Sequence, residues 1–250
     1  MNHTVAENLK YTFNDGTNYE TWGNTYRLFS PEHKIYISAD PVDVYGYYPY
    51  AAKKSDGTTD LDPESIEINV KDQTSQNAID FMQARTGNVT NGNATIELLF
   101  RHRLVKLVFN LKQGEGLLPN ELKDATYLGM KILSQHFKAT YNIYKGDNED
   151  PLSVDPASEY IADIIPAKAA QAPTGYVRTY EAIVLPNVVN NPAVNRTVEI
   201  EFYQRSDDRI VNKFTIPVQT IFKAGYKYVF NVTVNALTVT VDTDKYTEQW

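Results

Sequence analysis

Along most of the chain apolar and polar side chains alternate with a period of two, the signature of strands with one buried face. The runs are Leu9–Phe13, His33–Ser38, Val42–Tyr48, Ser65–Val70, Ala94–Arg101, Leu104–Leu111, Ala125–Leu133, Phe137–Tyr144, Glu159–Ile164, Arg178–Leu185, Thr197–Gln204, Ile210–Ile216 and Tyr226–Val241. Helical periodicity is confined to Thr74–Ala84, where Ile79, Phe81 and Met82 share a face and Ser75 stands ready to cap. Polar connectors rich in residues that tolerate positive φ separate the runs: Asn14-Asp-Gly16, Asp56-Gly57, Gly87–Asn93 and Gly146–Pro151. Residues Ala167–Gly175 read as an exposed loop. Many short strands between turn signals predict an all-β protein made of sandwiches.

A change of phase divides the pattern. Apolar positions fall on Ile96, Leu98, Phe100 and Leu104, then shift parity to Val105, Leu107, Phe109 and Leu111. One regular strand cannot do this with one face buried, since a slip of one residue turns every side chain over. Either a bulge lies near Arg103, or one strand ends and another begins there. The second reading is preferred and gives two tandem β-sandwiches, residues 1–101 and 102–250. The stretch Asp43-Val-Tyr-Gly-Tyr-Tyr-Pro-Tyr50 is the densest strand signal, and Pro49, which cannot donate to a ladder, marks its exit.

Composition narrows the function. The chain has 250 residues, 42% of them hydrophobic, which suits a folded core. A net charge of −7 argues against nucleic acid as a partner, because phosphate binding needs clustered Lys and Arg. The compact basic run Arg101-His-Arg-Leu-Val-Lys106 reads as a solvated face or a domain contact. There are no cysteines, which removes disulfides and thiolate chemistry. No apolar window reaches the length of a membrane span.

Catalytic and metal signatures are lacking in the pattern. His3, His33, His102 and His136 are scattered without metal-site spacing, so no metal or cofactor is predicted. Asp60, Asp62 and Glu64, and Asp147, Glu149 and Asp150, are acidic runs that a loop calcium or an acid/base pair would need. Neither has the spacing of an EF-hand loop, and ordinary solvated loops explain both. No phosphate loop or nucleophile elbow is present. The sequons at Asn88, Asn93, Asn195 and Asn231 carry no weight, since so short a pattern arises often by chance. The 18 tyrosines are the least ordinary feature, suited to packing or to contact surfaces.

Taken in chain order, Val44-Tyr-Gly-Tyr-Tyr-Pro-Tyr50, Ala78-Ile-Asp-Phe-Met82, Leu99–Leu107, Ile183-Val-Leu-Pro186, Ala224-Gly-Tyr-Lys-Tyr228 and Trp250 resemble the fimbrillin family of Bacteroidales, the Mfa-like and FimA-like type V pilus proteins. The positions matching the family pattern are Tyr47, Tyr48, Pro49, Tyr50, Phe100, His102, Leu104, Pro186, Gly225, Tyr228 and Trp250, with a structural role. The resemblance implies two transthyretin-like sandwiches, export to the cell surface, and a non-enzymatic structural or adhesive subunit. Its implied partners are other pilus subunits, a host or bacterial surface ligand, and the outer membrane through a lipid anchor.

One departure stands out: the family's lipobox cysteine and preceding residues have no counterpart before Asn8–Phe13. The expectation is that the native N-terminal segment is missing. Family members that lose such a segment expose a groove filled by a partner's strand. The alternative function is a surface glycan-binding lipoprotein whose exposed aromatics, Trp22 among them, stack on sugars.

Overall fold

A computed structural model of the chain describes residues 12–13, 28–29, 37, 39–93, 95–123, 128–146, 149–188, 191–203, 209–217, 220–241 and 246–249. The protein is all-β, as the alternation predicts, and its described strands form five sheets. Strands β1 (Thr12–Phe13) and β2 (Leu28–Phe29) pair antiparallel with each other. Strands β3 (Val42–Tyr48), β5 (Met82–Val89) and β6 (Arg101–His102) form a second sheet with β5 in the middle. A third sheet has the order β10-β9-β4, from β4 (Ile66–Asn69), β9 (Lys138–Tyr141) and β10 (Leu152–Val154).

The larger half is a sandwich. One layer runs β11-β8-β14-β15, from β8 (Leu128–His136), β11 (Ile161–Ile164), β14 (Arg196–Tyr203) and β15 (Arg209–Ile216). The other runs β12-β13-β7-β16-β17, from β7 (Val105–Gln113), β12 (Ala167–Lys168), β13 (Arg178–Val184), β16 (Tyr226–Val234) and β17 (Val239–Val241). A last strand, β18 (Tyr246–Gln249), pairs with β16 beside β17. The central pair β7 and β16 is parallel, Leu107 opposite Tyr228 and Leu111 opposite Val232. Where the two layers face each other, Phe109 stacks on Phe230 at 5.2 Å and meets Phe214 of β15 at 6.2 Å. Tyr180 donates to the Leu128 carbonyl across the same gap.

The two smaller sheets close on an aromatic core. Phe81, just before β5, lies 4.8 Å from Tyr141 of β9 and 6.4 Å from Tyr47 of β3. Gln83 of β5 donates to the Ile143 carbonyl beyond β9. Thus β4, from before Arg101 in the chain, is paired to β9, from after it: Ile66 opposite Tyr141, Ile68 opposite Ala139. The buried apolar residues form one continuous cluster from Leu61 to Val234.

The phase change at Arg103 is a change of sheet. The strand β6 ends at His102 and β7 begins at Val105 in a different layer, which explains the parity shift without a bulge. Three expectations give way. The helix expected over Thr74–Ala84 is a single turn, α1 (Gln76–Ile79), with no side-chain cap from Ser75. One turn cannot repay helix nucleation, so Phe81 goes into the core and Met82 opens β5. Of the strand expected over Ala94–Arg101, whose first residue lies outside the described ones, only Arg101 stands in a strand, at the start of β6. In its place Leu98 and Phe100 lie over Gly46 of β3, where an added Cβ would stand 2.9 Å from the Phe100 ring. The stretch Ala167–Gly175, expected as loop, opens with β12.

Candidate functional site

The family-pattern residues gather into a belt that joins the small sheets to the large one. Tyr48, Met82 and His102 stand in one register row across β3, β5 and β6. The peptide bond from Tyr48 to Pro49 is cis, the Tyr47 hydroxyl donates to the Ala51 carbonyl at 3.0 Å, and Tyr50 is exposed. His102 Nδ1 lies 2.9 Å from the Asp80 carboxylate. Arg103 donates its backbone N–H to Phe81 O and its guanidinium to Gln83 Oε1.

Beyond His102 the belt continues into the large sheet. Leu104 is fully buried, and its carbonyl accepts the Gly225 N–H at 2.8 Å. Gly225 has φ +76°, and a Cβ there would stand 3.0 Å from the His102 carbonyl oxygen, so both conformation and space require glycine. The Tyr228 hydroxyl donates to Ile221 O and accepts the Lys223 N–H. Phe222, packed 4.9 Å from the Tyr228 ring, exchanges backbone and side-chain bonds with Asn187, next to the buried Pro186. Above Phe222 sits the buried Arg196 guanidinium, 4.4 Å from the ring centre. Phe100 packs over Gly46 of β3, and Trp250, like Trp22, lies outside the described residues.

Electrostatics here serve cohesion. Burial pushes the Tyr47 hydroxyl up to about 12 and raises Tyr228 as well. Burial also lowers Arg196, which bonds Gln135 Oε1 and Val194 O and meets no carboxylate among the described residues. On the rim, Arg85 sits 2.8 Å from Asp43 and holds that carboxyl below its ordinary range. The same guanidinium lies over Tyr45, whose ring meets Tyr144 edge-on at 5.1 Å.

Sequence reasoning missed Asp80, Gln83 and Gln73. Gln73 is buried, donating to Val70 O and Ile183 O and accepting the Ile183 N–H. No local signal marks it, because its partner strand lies 110 residues away.

The acidic runs do not converge. Asp60 pairs with Lys53, Asp62 caps the Glu64 N–H, and Asp147 lies outside the described residues, as do His3 and His33. Among the described residues no group of three or more metal-ligand side chains occurs, and no helix is long and apolar enough to cross a membrane.

The described residues thus form an all-β fold held by a packed aromatic belt. Its family is defined by sequence: a fimbrillin-like family model matches residues 1–250, and the chain belongs to that family. Solved structures share the fold. A protein from Bacteroides uniformis assigned provisionally to cell adhesion has 23% identity and a TM-score of 0.69, over 96% of this chain and 84% of that one. A second, from Bacteroides ovatus with the same provisional assignment, has 19% identity and a TM-score of 0.60, over 90% and 75%. A fimbrial protein from Bacteroides vulgatus has 17% identity and a TM-score of 0.51, over 82% and 76%. No curated protein matches the chain.

Proposed function

We propose that the chain is a non-enzymatic structural or adhesive subunit of a bacterial surface fimbria that joins its neighbours by strand exchange. The observation that carries this reading is the fimbrillin-like match over residues 1–250. The fold offers the physical means. Among the described strands β3 is paired on one side only, by β5, and β15 on one side only, by β14. An unpaired edge presents N–H and C=O groups to an incoming strand, and alternate side chains fill the slots beside it. A long β15 whose outward residues include Val211 and Lys213 is such an edge, and so is the tyrosine-rich β3.

In this reading the subunit consists of two transthyretin-like sandwiches, residues 1–101 and 102–250, the first completed by β9 and β10 of the second. It is exported, held at the outer membrane through a lipid anchor, and bound to other pilus subunits and to a surface ligand. The family-pattern residues from Tyr47 to Tyr228 keep the two sandwiches in fixed relation, so that a strand received by one is braced by the other. The test is a gel of surface protein from source cells, boiled and unboiled, probed with antibody against this chain. A ladder that collapses to one band on boiling is expected. A single monomer band in both lanes overturns polymerisation by strand exchange.

A further inference from the structure

The outer face of the sheet β10-β9-β4 differs from an ordinary solvated face. Strand register sets two rows of hydrogen-bonding side chains across it: Ser153, Thr140 and Glu67 in one, and Lys138 and Asn69 in the other. Asp155 extends the second row, its N–H donating to Lys138 O at 3.1 Å. The opposite face of the same strands is apolar: Leu152, Tyr141 and Ile66, then Val154, Ala139 and Ile68, all buried. A cavity of about 270 Å³ opens on the polar side, lined by Lys138, Thr140, Ser153, Asp155 and Pro156 among others.

Its key donor is held in place. The Lys138 ammonium lies 4.3 Å from the Tyr160 ring centre and donates to the Tyr160 hydroxyl at 3.3 Å. Tyr160 is itself wedged edge-on against Phe137 at 6.0 Å, and Lys71 covers the Phe137 ring. Asp155 uses Oδ1 to accept the Ala157 N–H. Its Oδ2 takes no bond from a described residue, and neither do the hydroxyls of Thr140 and Ser153.

We propose that this cavity binds one unit of a neutral saccharide, which makes it a ligand site of the adhesive subunit argued above. A sugar hydroxyl both donates and accepts, so it needs a surface offering both within one ring's width. Here an ammonium and two hydroxyls donate, while the Asp155 carboxylate accepts. The negative charges of Glu67 and Asp155 both act on Lys138, and this balance of charge favours an uncharged ligand over an anionic one. The volume falls just below that of pockets for drug-sized ligands, about 300 Å³ and upward, which suits a single pyranose. A flat protein partner would need a contact of roughly 800 Å² per side, far beyond this cavity.

The test is binding of the full chain to an array of neutral oligosaccharides built from hexoses and N-acetylhexosamines, with sialylated and sulfated oligosaccharides beside them. Ser153→Tyr fills the cavity from an exposed position, Asp155→Asn removes the acceptor charge, and Thr140→Val removes a hydroxyl at constant shape. Saturable binding to at least one oligosaccharide is expected. Each variant should weaken it about tenfold or more, the loss of one or two hydrogen bonds, with an unchanged melting temperature. No binding to any neutral oligosaccharide, binding only to sialylated or sulfated ones, or binding unaltered in Asp155→Asn and Thr140→Val overturns the site. The boiled and unboiled gel separates this from the fimbrial reading: variants that lose sugar binding should still enter the ladder.

Discussion

Tyr47 shows at the scale of one residue how the belt is tied to its surroundings. Its ring faces Phe81, its hydroxyl reaches the Ala51 carbonyl, and burial raises its pKa to about 12. An unfolded tyrosine ionises near pH 10, so between about 10 and 12 the unfolded chain has lost a proton that the folded one keeps. Stability from this residue is therefore complete below about pH 10 and falls as pH rises through about 12. The shift corresponds to roughly 2 to 3 kcal/mol before solvent screening at this half-buried site is allowed for, and to about half of that after it. Denaturant melts from about pH 9 to 12 should show this decline, and Tyr47→Phe should flatten it while costing about 1 kcal/mol at neutral pH for the lost bond. A decline of equal slope in the variant would assign it to other groups. Tyr47 is legible in the sequence because aromatic crowding leaves a local trace, whereas Gly225 and Tyr228 come to notice only through the family resemblance. Asp80 and Gln83 are not legible, since their roles come from partners that only the fold supplies, His102 and Arg103.

Among the elements, the period-two runs are the legible part, and β3, β4, β7, β13, β14 and β15 fall where the alternation puts them, within a residue or two. The strand β5 is hidden because Gln83 and Ala84 occupy buried positions, and Gly87 and Asn88 break the pattern. The segment after Val70 imitates a helix because Ile79, Phe81 and Met82 reproduce helical spacing over a stretch too short to use it. Its actual task is to seal β13. Gln73 bonds both the N–H and the carbonyl of Ile183, as a neighbouring strand would, and Gln76 donates to Glu181 O at 2.8 Å. Next to it, β12 covers Tyr180 and Glu181. Replacing Gln73 with Leu leaves two buried backbone groups of Ile183 without partners, at a cost of about 1–3 kcal/mol for each group left bare. The expected result is a lower melting temperature together with faster hydrogen exchange at the Ile183 amide. Unchanged exchange there would mean that another group covers this edge.

For the molecule as a whole, sequence phase locates a change of sheet but cannot reveal a strand shared across it. Residues Leu61 to Arg103 supply β4, β5 and β6, yet the strand that pairs with β4 and the ring that packs on Phe81 both come from β9. Period-two patterning tells which face of a strand is buried, not which strand buries it, and that limit is why the connection is invisible in the sequence. The physical consequence is a direct prediction about splitting the chain. A fragment of residues 1–101 keeps β3 and β5 but loses the partner of Ile66 and Ile68, so both become solvent-exposed along with much of Phe81. Burial of side chains of this size is worth about 1.5–3 kcal/mol each, comparable in sum to the whole stability of a small domain. The fragment alone should therefore show no cooperative melt by circular dichroism, and one should return when residues 102–250 are co-expressed with it. A sharp, reversible transition for 1–101 on its own would mean that β9 decorates a sandwich already complete without it. The two halves would then be separate folding units, free to move against each other when a strand is exchanged.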